Sequence, residues 1–271
     1  MTETEANGAA GGGGAPLQPA VRAAHGVGAR GAGRGLSLDR IVRAAMELAD
    51  EDGLAAVSMA RVAARLEFTP MSLYRHVGSK DELLAHMQDG AIPPPPDRLA
   101  PPGDWRAGLR RWTEEQIDAA VRRPWYLEIP ITGPPLMPNA LAWMEVAMEV
   151  MEGLPLTGAE KLAVLQLLFS FARGEATLAV NLARAYAERG IGPADEGPVY
   201  TSAMAVLTEG RFPRLHAMAV SDDLLEVPAG VADEDADAYL RAFSLDRILD
   251  GVAALVAERR VPHGDPPAGT S

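Results

Sequence analysis

The chain has 271 residues and no cysteine, and hydrophobic residues make up 48% of it. This length allows one or two domains with a sizeable core, and the absence of cysteine excludes disulfide-stabilised folds and thiol chemistry. A formal net charge of −12 excludes a protein that coats nucleic acid through its overall charge.

The first 36 residues are rich in Gly and Ala and poor in bulky apolar side chains. Such a composition predicts a disordered arm. Arg30 and Arg34 precede the first predicted helix, where a flexible basic arm can enter a DNA minor groove. A solvated tail is the alternative, because arginines near a domain boundary are common.

Neither a signal peptide nor a membrane span is expected. The N-terminus lacks the basic start and apolar core of a signal peptide. No window reaches the ~20 apolar residues of a membrane span, because Gln166 interrupts the longest one. The sequence therefore predicts a soluble, cytoplasmic protein with no membrane partner.

Two capped helices open the folded region. Ser37 is placed to cap a first helix, which Gly53 ends. Ser58 is placed to cap a second helix that runs to Leu66. A tight connection then leads to a third helix, the spacing that a helix-turn-helix requires.

The third helix is predicted over residues 70–76. Thr69 is its N-cap, and Pro70 occupies the first helical position, where no N–H is needed. Ser79 and Glu82 then form the S-x-x-E capping box of a fourth helix.

Donor-rich side chains mark the third helix as a DNA-reading element. Tyr74, His76 and Lys80 are placed to bind phosphates, whereas Pro70, Met71 and Ser72 lie at the helix start that faces base edges. The predicted DNA contacts are Ser58, Arg61, Thr69, Pro70, Met71, Ser72, Tyr74, His76 and Lys80.

Charge is distributed unevenly along the chain. Residues 58–80 carry four basic side chains and one acidic side chain, whereas residues 91–271 carry 16 basic and 26 acidic ones. This asymmetry suits a protein that lays one face on DNA while its body repels phosphates. Arg65, late in the second helix, is expected to be solvated or paired with an acid.

Prolines at 93–96, 101 and 102 end the fourth helix and form a stiff connector. Apolar spacing predicts further helices over 105–123, 139–152, 158–188 and 234–259, and a weaker one over 200–210, between Gly-rich, Pro-rich and acidic loops at 190–200 and 221–233. No strand pattern is present, so the predicted fold is all-α. The predicted organisation is an arm at 1–36, a helix-turn-helix domain at 37–92, a connector at 93–104, a helical domain at 105–260 and a flexible tail at 261–271.

The segment LSLDRIVRAAMELADEDGLAAVSMARVAARLEFTPMSLYRHVGSKDELL resembles the DNA-binding domain of the tetracycline-repressor (TetR) family. The L-Y-x-H-V pattern falls at Leu73 to Val77, and S-K-x-x-L-L at Ser79 to Leu84. The family usually has Gly in the turn where this chain has Glu67. An acid there opposes a nearby phosphate.

The segments RRPWYLEIPITGPPLMPNALAWME and RGEATLA also resemble the C-terminal domain of that family. The resemblance implies a small-molecule site and a homodimer in which two helices of each subunit form a four-helix bundle. By position, 158–188 and 234–259 would be those helices.

The small-molecule site is expected among aromatic and methionine side chains of the second domain, although such residues at helical spacing are more often core. As a group they favour an apolar or aromatic effector. Arg173 and Asn181 either orient it or pair across one helix face with each other or with Glu175. The candidates are Trp112, Trp125, Tyr126, Met137, Trp143, Met144, Met148, Phe169, Arg173 and Asn181.

No metal or other cofactor is predicted. The chain has no His between positions 87 and 215, where the founding member of the family needs one for its metal-dependent drug site. Tetracycline with magnesium is therefore not the expected effector.

The predicted function is a DNA-binding transcription regulator, with repression as the expected mode, released from an inverted-repeat operator by a small molecule. The sequence leaves activation open, because that depends on where the operator lies relative to a promoter. Its partners would be double-stranded DNA, the effector and a second copy of the chain. An enzyme is not expected, because no G-x-S-x-G elbow, P-loop or Rossmann fingerprint is present. The alternative is a ligand-binding or interaction protein with a vestigial DNA-binding domain.

Overall fold

The computed structural model describes residues 35–192, 206, 210–221 and 236–260. Over these residues the chain forms ten α-helices and a 3-10 turn, with no strand, as the all-α prediction requires. The helices are α1 (Leu38–Asp52), α2 (Met59–Arg65), α3 (Pro70–Leu73), α4 (Lys80–Ala91), α5 (Trp105–Arg122), α6 (Trp125–Glu128), α7 (Pro138–Val150), α8 (Gly158–Glu188), α9 (Pro213–Ala219) and α10 (Ala236–Arg260).

Contacts within the chain define two units. The first unit holds Met1–Gly90 and Ile129–Leu141, and the second holds Ala91–Glu128 and Ala142–Ser271. Helices α4 and α7 therefore each belong to the first unit for part of their length and to the second unit for the rest.

Side-chain caps begin the first three helices as predicted. The hydroxyl oxygens of Ser37, Ser58 and Thr69 accept the backbone N–H three residues further on, at 3.3, 3.2 and 3.3 Å. Gly53 ends α1 with φ of 78°, a left-handed conformation that carries no Cβ penalty for glycine. Local sequence signals thus set these boundaries.

Two local predictions differ from the structure in detail. Helix α3 ends at Leu73 rather than at residue 76, because the N–H of His76 bonds to Leu73 across a tighter turn at 2.8 Å. At the start of α4, the N–H of Glu82 donates to the hydroxyl of Ser79 as predicted (3.0 Å). The Glu82 carboxylate, however, accepts from the N–H of Gly78 at 2.8 Å, so it satisfies the residue before the expected one.

The core of the first unit is built from one apolar side of each of its helices. These side chains are all buried. Burying each of the larger ones stabilises the fold by roughly 1.5–3 kcal/mol relative to leaving it exposed to water. The main members are Ile41, Ala45, Leu48, Val57, Val62, Leu73, Val77, Leu83 and Met87.

The second unit packs α5, α7, α8 and α10 around one apolar core. Ion pairs fasten α5 to α10, since Arg106 lies 2.7 Å from carboxylate oxygens of both Asp246 and Asp250, and Arg110 also pairs with Asp246. The main core residues are Leu109, Trp112, Trp143, Ala147, Met151, Leu165, Leu168, Leu245, Leu249 and Val252.

The predicted helices of the second domain are found within two residues of their expected ends. The short helices α6 and α9 were not predicted, because four and seven residues are too few to show a helical repeat. The predicted weak helix at 200–210 and the loops at 190–200 and 221–233 lie almost wholly outside the described residues.

Helix α8 is more apolar than the sequence analysis allowed. It is the one helix of the described segments long and apolar enough, by length and composition, to cross a membrane, with a mean hydropathy of 1.3 over its best window and 22% of that window buried. The prediction that Gln166 rules out such a window was wrong, because one polar residue barely lowers an 18-residue mean. One side of α8 supplies Leu165 and Leu168 to the core, and its other side exposes further leucines.

Candidate nucleic-acid interface and effector core

Helices α2 and α3 pack against each other through their apolar sides. Val62 of α2 and Leu73 of α3 are fully buried, so the residues of α3 that point away from them face solvent. Met71 is 69% exposed and Tyr74 is 46% exposed. Of the other predicted DNA contacts, Arg61, Thr69, Pro70, His76 and Lys80 are exposed, and Ser58 and Ser72 are half-buried.

Two hydroxyls at the start of α3 are bonded to each other. The Oγ1 of Thr69 and the Oγ of Ser72 lie 2.9 Å apart, and either can be the donor. The backbone N–H of Ser72 also donates to Thr69. One hydroxyl proton is used within the pair, which leaves the other free for an outside acceptor.

Acids of α1 neutralise two of the basic side chains counted for this region. Arg61 pairs with Asp52 at 2.5 Å. Arg65 is held by Glu51 at 2.5 Å and by Glu47 at 3.3 Å, as expected for a residue outside the DNA contacts. The hydrogen bond from Arg65 lowers the pKa of Glu51 below its ordinary value.

The remaining cations lie on and after α3. Neither Arg75 nor Lys80 forms an ion pair within the described part of the chain. Because Arg61 must leave Asp52 before it can bind a phosphate, Arg75 and Lys80 carry the charge immediately available to an anion.

The turn between α2 and α3 has an unusual backbone. Glu67 has φ of 61°, the one left-handed conformation among the described non-glycine residues. Its N–H bonds to Ala64 (3.1 Å) and the N–H of Phe68 bonds to Ala63 (2.9 Å), the bonding pattern of a Schellman motif. This position favours glycine, so Glu67 adopts a conformation that is strained for a residue with a Cβ.

A pair of tryptophans lies at the centre of the second unit. The rings of Trp112 and Trp143 meet edge to face, with centroids 6.5 Å apart. Trp112 donates its indole N–H to the carbonyl of Trp143 at 2.9 Å, and Trp143 donates to that of Pro93 at 2.8 Å. Both polar atoms are satisfied by backbone, so both rings present apolar surface to their surroundings.

Arg173 ties α8 to α6. Its guanidinium donates to the carbonyl of Leu127 at 2.6 Å and lies 5.6 Å from the ring centroid of Tyr126. Burial raises the pKa of the Tyr126 hydroxyl above its ordinary value, against the opposing effect of Arg173. Arg173 therefore contacts two residues of α6, a pairing that the sequence analysis did not consider.

The predicted effector residues differ in exposure. Trp112, Trp125, Tyr126 and Trp143 are buried, whereas Asn181 is exposed on the same side of α8 as Leu178 and Leu182. Met148 and Phe169 pack against the core that contains Trp112 and Trp143. The half-buried members are Met137, Met144, Met148, Phe169 and Arg173.

Sequence reasoning missed one buried polar side chain beside these residues. Gln116 is 6% exposed, and its Nε2 has no hydrogen-bond partner among the described residues. It follows Trp112 by four positions on α5, so both side chains share one face of the helix. That spacing is visible in the sequence, but the unsatisfied amide is not.

Over the described residues, no group of three or more His, Asp or Glu side chains is arranged to hold a metal ion.

Two family models match the chain. Bacterial regulatory proteins of the tetR family match residues 41–87, and the tetracyclin repressor-like C-terminal domain matches residues 96–256. The chain belongs to the tetR family.

Relatives of this tetR-family chain include proteins from Streptomyces. The HTH-type transcriptional repressor DrrR1 of Streptomyces coeruleorubidus is 34% identical over 228 residues, which cover 83% of this chain and 80% of that protein. Apo ActR of Streptomyces coelicolor is 27% identical with a TM-score of 0.65, covering 83% of this chain and 98% of that one. ActR in complex with actinorhodin is 27% identical with a TM-score of 0.61, covering 82% and 99%.

Membership of the tetR family makes the chain a DNA-binding transcription regulator and not an enzyme. In the tetR-family helix-turn-helix of this chain, Leu73 and Val77 are the fully buried residues of the L-Y-x-H-V pattern. Tyr74 and His76, the polar residues of that pattern, are exposed. The pattern therefore combines packing residues with residues that remain available to a ligand.

Proposed function

We propose that this tetR-family regulator is a repressor that binds an inverted-repeat operator as a homodimer and leaves it when a small apolar or aromatic effector binds. The observation that carries the proposal is the exposure of Met71 on α3 and of Tyr74 directly after it, on either side in sequence of the buried Leu73. We expect it to act in the cytoplasm, where the chromosome lies.

The proposed DNA contacts divide into two groups. Tyr74, His76 and Lys80 are exposed in the segment that follows α3. They bind phosphates and so set the register of α3 on the DNA. Met71 and Ser72 face base edges, where Met71 contacts a thymine methyl group. Pro70, at the first position of α3, faces base edges with them, and Ser58, Arg61 and Thr69 act in support.

The homodimer is proposed to form through the outer sides of α8 and α10. Leu162, Leu167, Leu178 and Leu182 of α8 are between 42% and 57% exposed, and Leu240 and Phe243 of α10 are 53% and 47% exposed. Clusters of large exposed apolar side chains mark interaction sites. Because a two-fold interface uses the same surface on both subunits, two copies of this face can cover each other.

The proposed effector site lies in the core of the second unit. Trp112 and Trp143 offer apolar rings there, and Tyr126 and Arg173 offer polar atoms. The complex of ActR with actinorhodin supports a small-molecule effector for this chain. The effector would lower operator affinity by favouring a dimer whose two α3 helices no longer match grooves ~34–36 Å apart.

The DNA-binding proposal is tested by fluorescence anisotropy with DNA from upstream of the protein's own gene, against scrambled DNA, at two salt concentrations. Tight, sequence-dependent and salt-sensitive binding is expected. If both DNAs bind equally weakly, a selection from random sequences separates a distant operator from a vestigial DNA-binding domain. Failure to recover any preferred sequence would leave the ligand-binding or interaction protein as the function.

The two lysines of the chain, Lys80 and Lys161, provide a test variant and a matched control. Lys80→Ala is expected to weaken binding to all sequences and to reduce the slope of log affinity against log salt by about one. Lys161→Ala, on α8, should leave both unchanged. Equal effects of the two variants would contradict the proposed contact.

The dimer is tested by sedimentation of the Leu167→Glu variant. A charge at the centre of the proposed interface should produce monomers at concentrations where the wild type is dimeric. The control is Leu141→Glu on α7, a leucine 39% exposed outside α8 and α10. A Leu167→Glu protein that remains dimeric would exclude this face.

A further inference from the structure

Asp89, near the end of α4, caps the start of α7. Its two carboxylate oxygens accept the backbone N–H groups of Asn139 at 3.1 Å and of Ala140 at 2.9 Å. The side-chain amide of Asn139 donates in return to the carbonyl of Asp89 at 2.9 Å. These three hydrogen bonds, here called the Asp89 clasp, join residues about fifty positions apart in the chain.

A carboxylate is well suited to this place. The first N–H groups of a helix have no partner within it, and the helix dipole attracts negative charge to that end. Helix α7 begins at Pro138, so the N–H groups of Asn139 and Ala140 belong to its first turn, where Asp89 accepts them. A side chain from another helix thus does here what Ser37 and Ser58 do for their own helices.

The clasp lies where both helices continue from the first unit into the second. Asp89, Asn139 and Ala140 belong to the first unit, while Ala91 of α4 and Ala142 of α7 already belong to the second. Further along α7, Trp143 and Ala147 are buried in the core of the second unit. Helix α7 therefore has its capped first turn in one unit and its buried side chains in the other.

The carboxylate also depends on the clasp for its own charge. Asp89 is half-buried, and this burial raises its pKa, while the N–H groups of Ala140 and Asn139 act in the opposite direction. If α7 moved away, the half-buried carboxylate would lose the two N–H donors that stabilise its charge, those of Asn139 and Ala140. The position of α7 and the pKa of Asp89 are therefore linked.

We infer that Asp89 is a positioning residue whose clasp couples helix α7, and with it the effector core, to the DNA-binding unit. Displacement of α7 by an effector among Trp112 and Trp143 would pull on α4 through three hydrogen bonds. Reciprocally, DNA that fixes α4 would hold α7 in place. The inference rests on the proposed function, because it presumes that DNA and effector states are linked.

The experiment measures amide hydrogen exchange in α7 with and without operator DNA, using the full chain and the DNA sequence recovered by random selection. In the wild type, DNA is expected to slow exchange of residues 142–150 several-fold. In Asp89→Ala the same DNA, added to saturation, should leave that exchange unchanged. Asp89→Asn, which keeps one acceptor oxygen, should lie between them.

Asp81→Ala is the matched control, since Asp81 is an exposed carboxylate in the first turn of the same helix. It should retain the wild-type response of α7. If Asp89→Ala is unfolded at the assay temperature, the comparison is made with Asp89→Asn.

Two results would overturn the clasp as a coupling device. One is a DNA-dependent slowing of α7 that persists in Asp89→Ala. The other is a wild-type protein that binds DNA with no change in α7. Failure of the proposed function gives a different result, because the wild type would then select no preferred DNA.

Discussion

Arg259, in the last turn of α10, holds both carboxylate oxygens of Glu160 in the first turn of α8, at 2.6 and 2.7 Å. Glu160 also accepts from the N–H and hydroxyl of Thr157, at 2.8 and 2.9 Å. One carboxylate therefore caps α8 and joins it to α10. These bonds, that from Arg259 first, lower the pKa of Glu160 from 4.5 to about 2.

Stability of the fold should depend on this pair in acid. Because the pKa is lowered in the folded state, the stabilisation is complete above pH 4.5 and is lost as the pH falls through about 2. The free energy of unfolding of the wild type should exceed that of Glu160→Gln at pH 6, and the difference should shrink between pH 4.5 and 2. Urea titrations at a series of pH values measure it.

Gln at position 160 keeps the capping function and removes only the charge. Glu152→Gln is the control, because Glu152 is exposed and forms no ion pair within the described residues. The difference in the free energy of unfolding between Glu152→Gln and the wild type should not change with pH. A flat difference for Glu160→Gln as well would contradict the pairing with Arg259.

Glu67→Gly should stabilise the helix-turn-helix. The φ of 61° at Glu67 costs a residue with a Cβ roughly 1–2 kcal/mol, whereas glycine adopts it freely but loses more entropy on folding. A net gain of about 0.5–1 kcal/mol in the free energy of unfolding is expected. Chemical denaturation measures it.

Glu67→Ala separates backbone strain from charge at the same position. It keeps the Cβ and removes the acid, so it should not share the stability gain of Glu67→Gly. Both variants should bind DNA more tightly at low salt if Glu67 lies near a phosphate. An Ala variant more stable than the Gly variant would show that the turn carries no strain, because only the entropy cost of glycine would then separate them.

Gly108 of α5 allows a close approach of α7. A Cβ at position 108 would lie 2.6 Å from Cγ1 and 2.8 Å from Cγ2 of Val150, and a short branched side chain has little room to withdraw. Gly108→Ala is therefore expected to lower the free energy of unfolding by roughly 1–3 kcal/mol, despite the higher helix propensity of Ala.

Val150→Ala removes the two methyl groups concerned and should rescue this variant. In a double-mutant cycle, the loss for Gly108→Ala should be much smaller in the Val150→Ala background. Additive losses would place the conflict elsewhere. Gly174→Ala on α8 is the control, because nothing lies within 4 Å of a Cβ at that position.

Gln116→Met should stabilise the second unit. The buried Nε2 of Gln116 has no partner among the described residues, and replacing an unsatisfied polar group by an apolar one of similar size recovers about 1 kcal/mol or more. Thr113→Val is the matched control on α5, because the fully buried Thr113 already donates to the carbonyl of Leu109 at 2.8 Å. A rise in melting temperature is expected for Gln116→Met alone, and a fall would show that the amide has a partner.

Much of the helix-turn-helix was predictable because its signals are local. The caps Ser37, Ser58 and Thr69 act on N–H groups three residues away, and the apolar residues Leu73 and Val77 follow the repeat of a helix. Contacts of such short range can be predicted from neighbouring residues in the sequence. The length of α3 was less predictable, since the turn after Leu73 competes with one more helical turn at similar energy.

Sequence by itself determined the family, the all-α architecture and the order of the helices, because periodicity, caps and the L-Y-x-H-V pattern are properties of contiguous residues. Tertiary structure alone decided which charges are already paired and which polar groups lack partners. Arg61 forms an ion pair with Asp52, Arg173 donates to the carbonyl of Leu127, and Asp89 accepts from the N–H of Ala140. Each of these contacts joins separate helices, so it depends on how those helices pack and not on the spacing of residues along the chain.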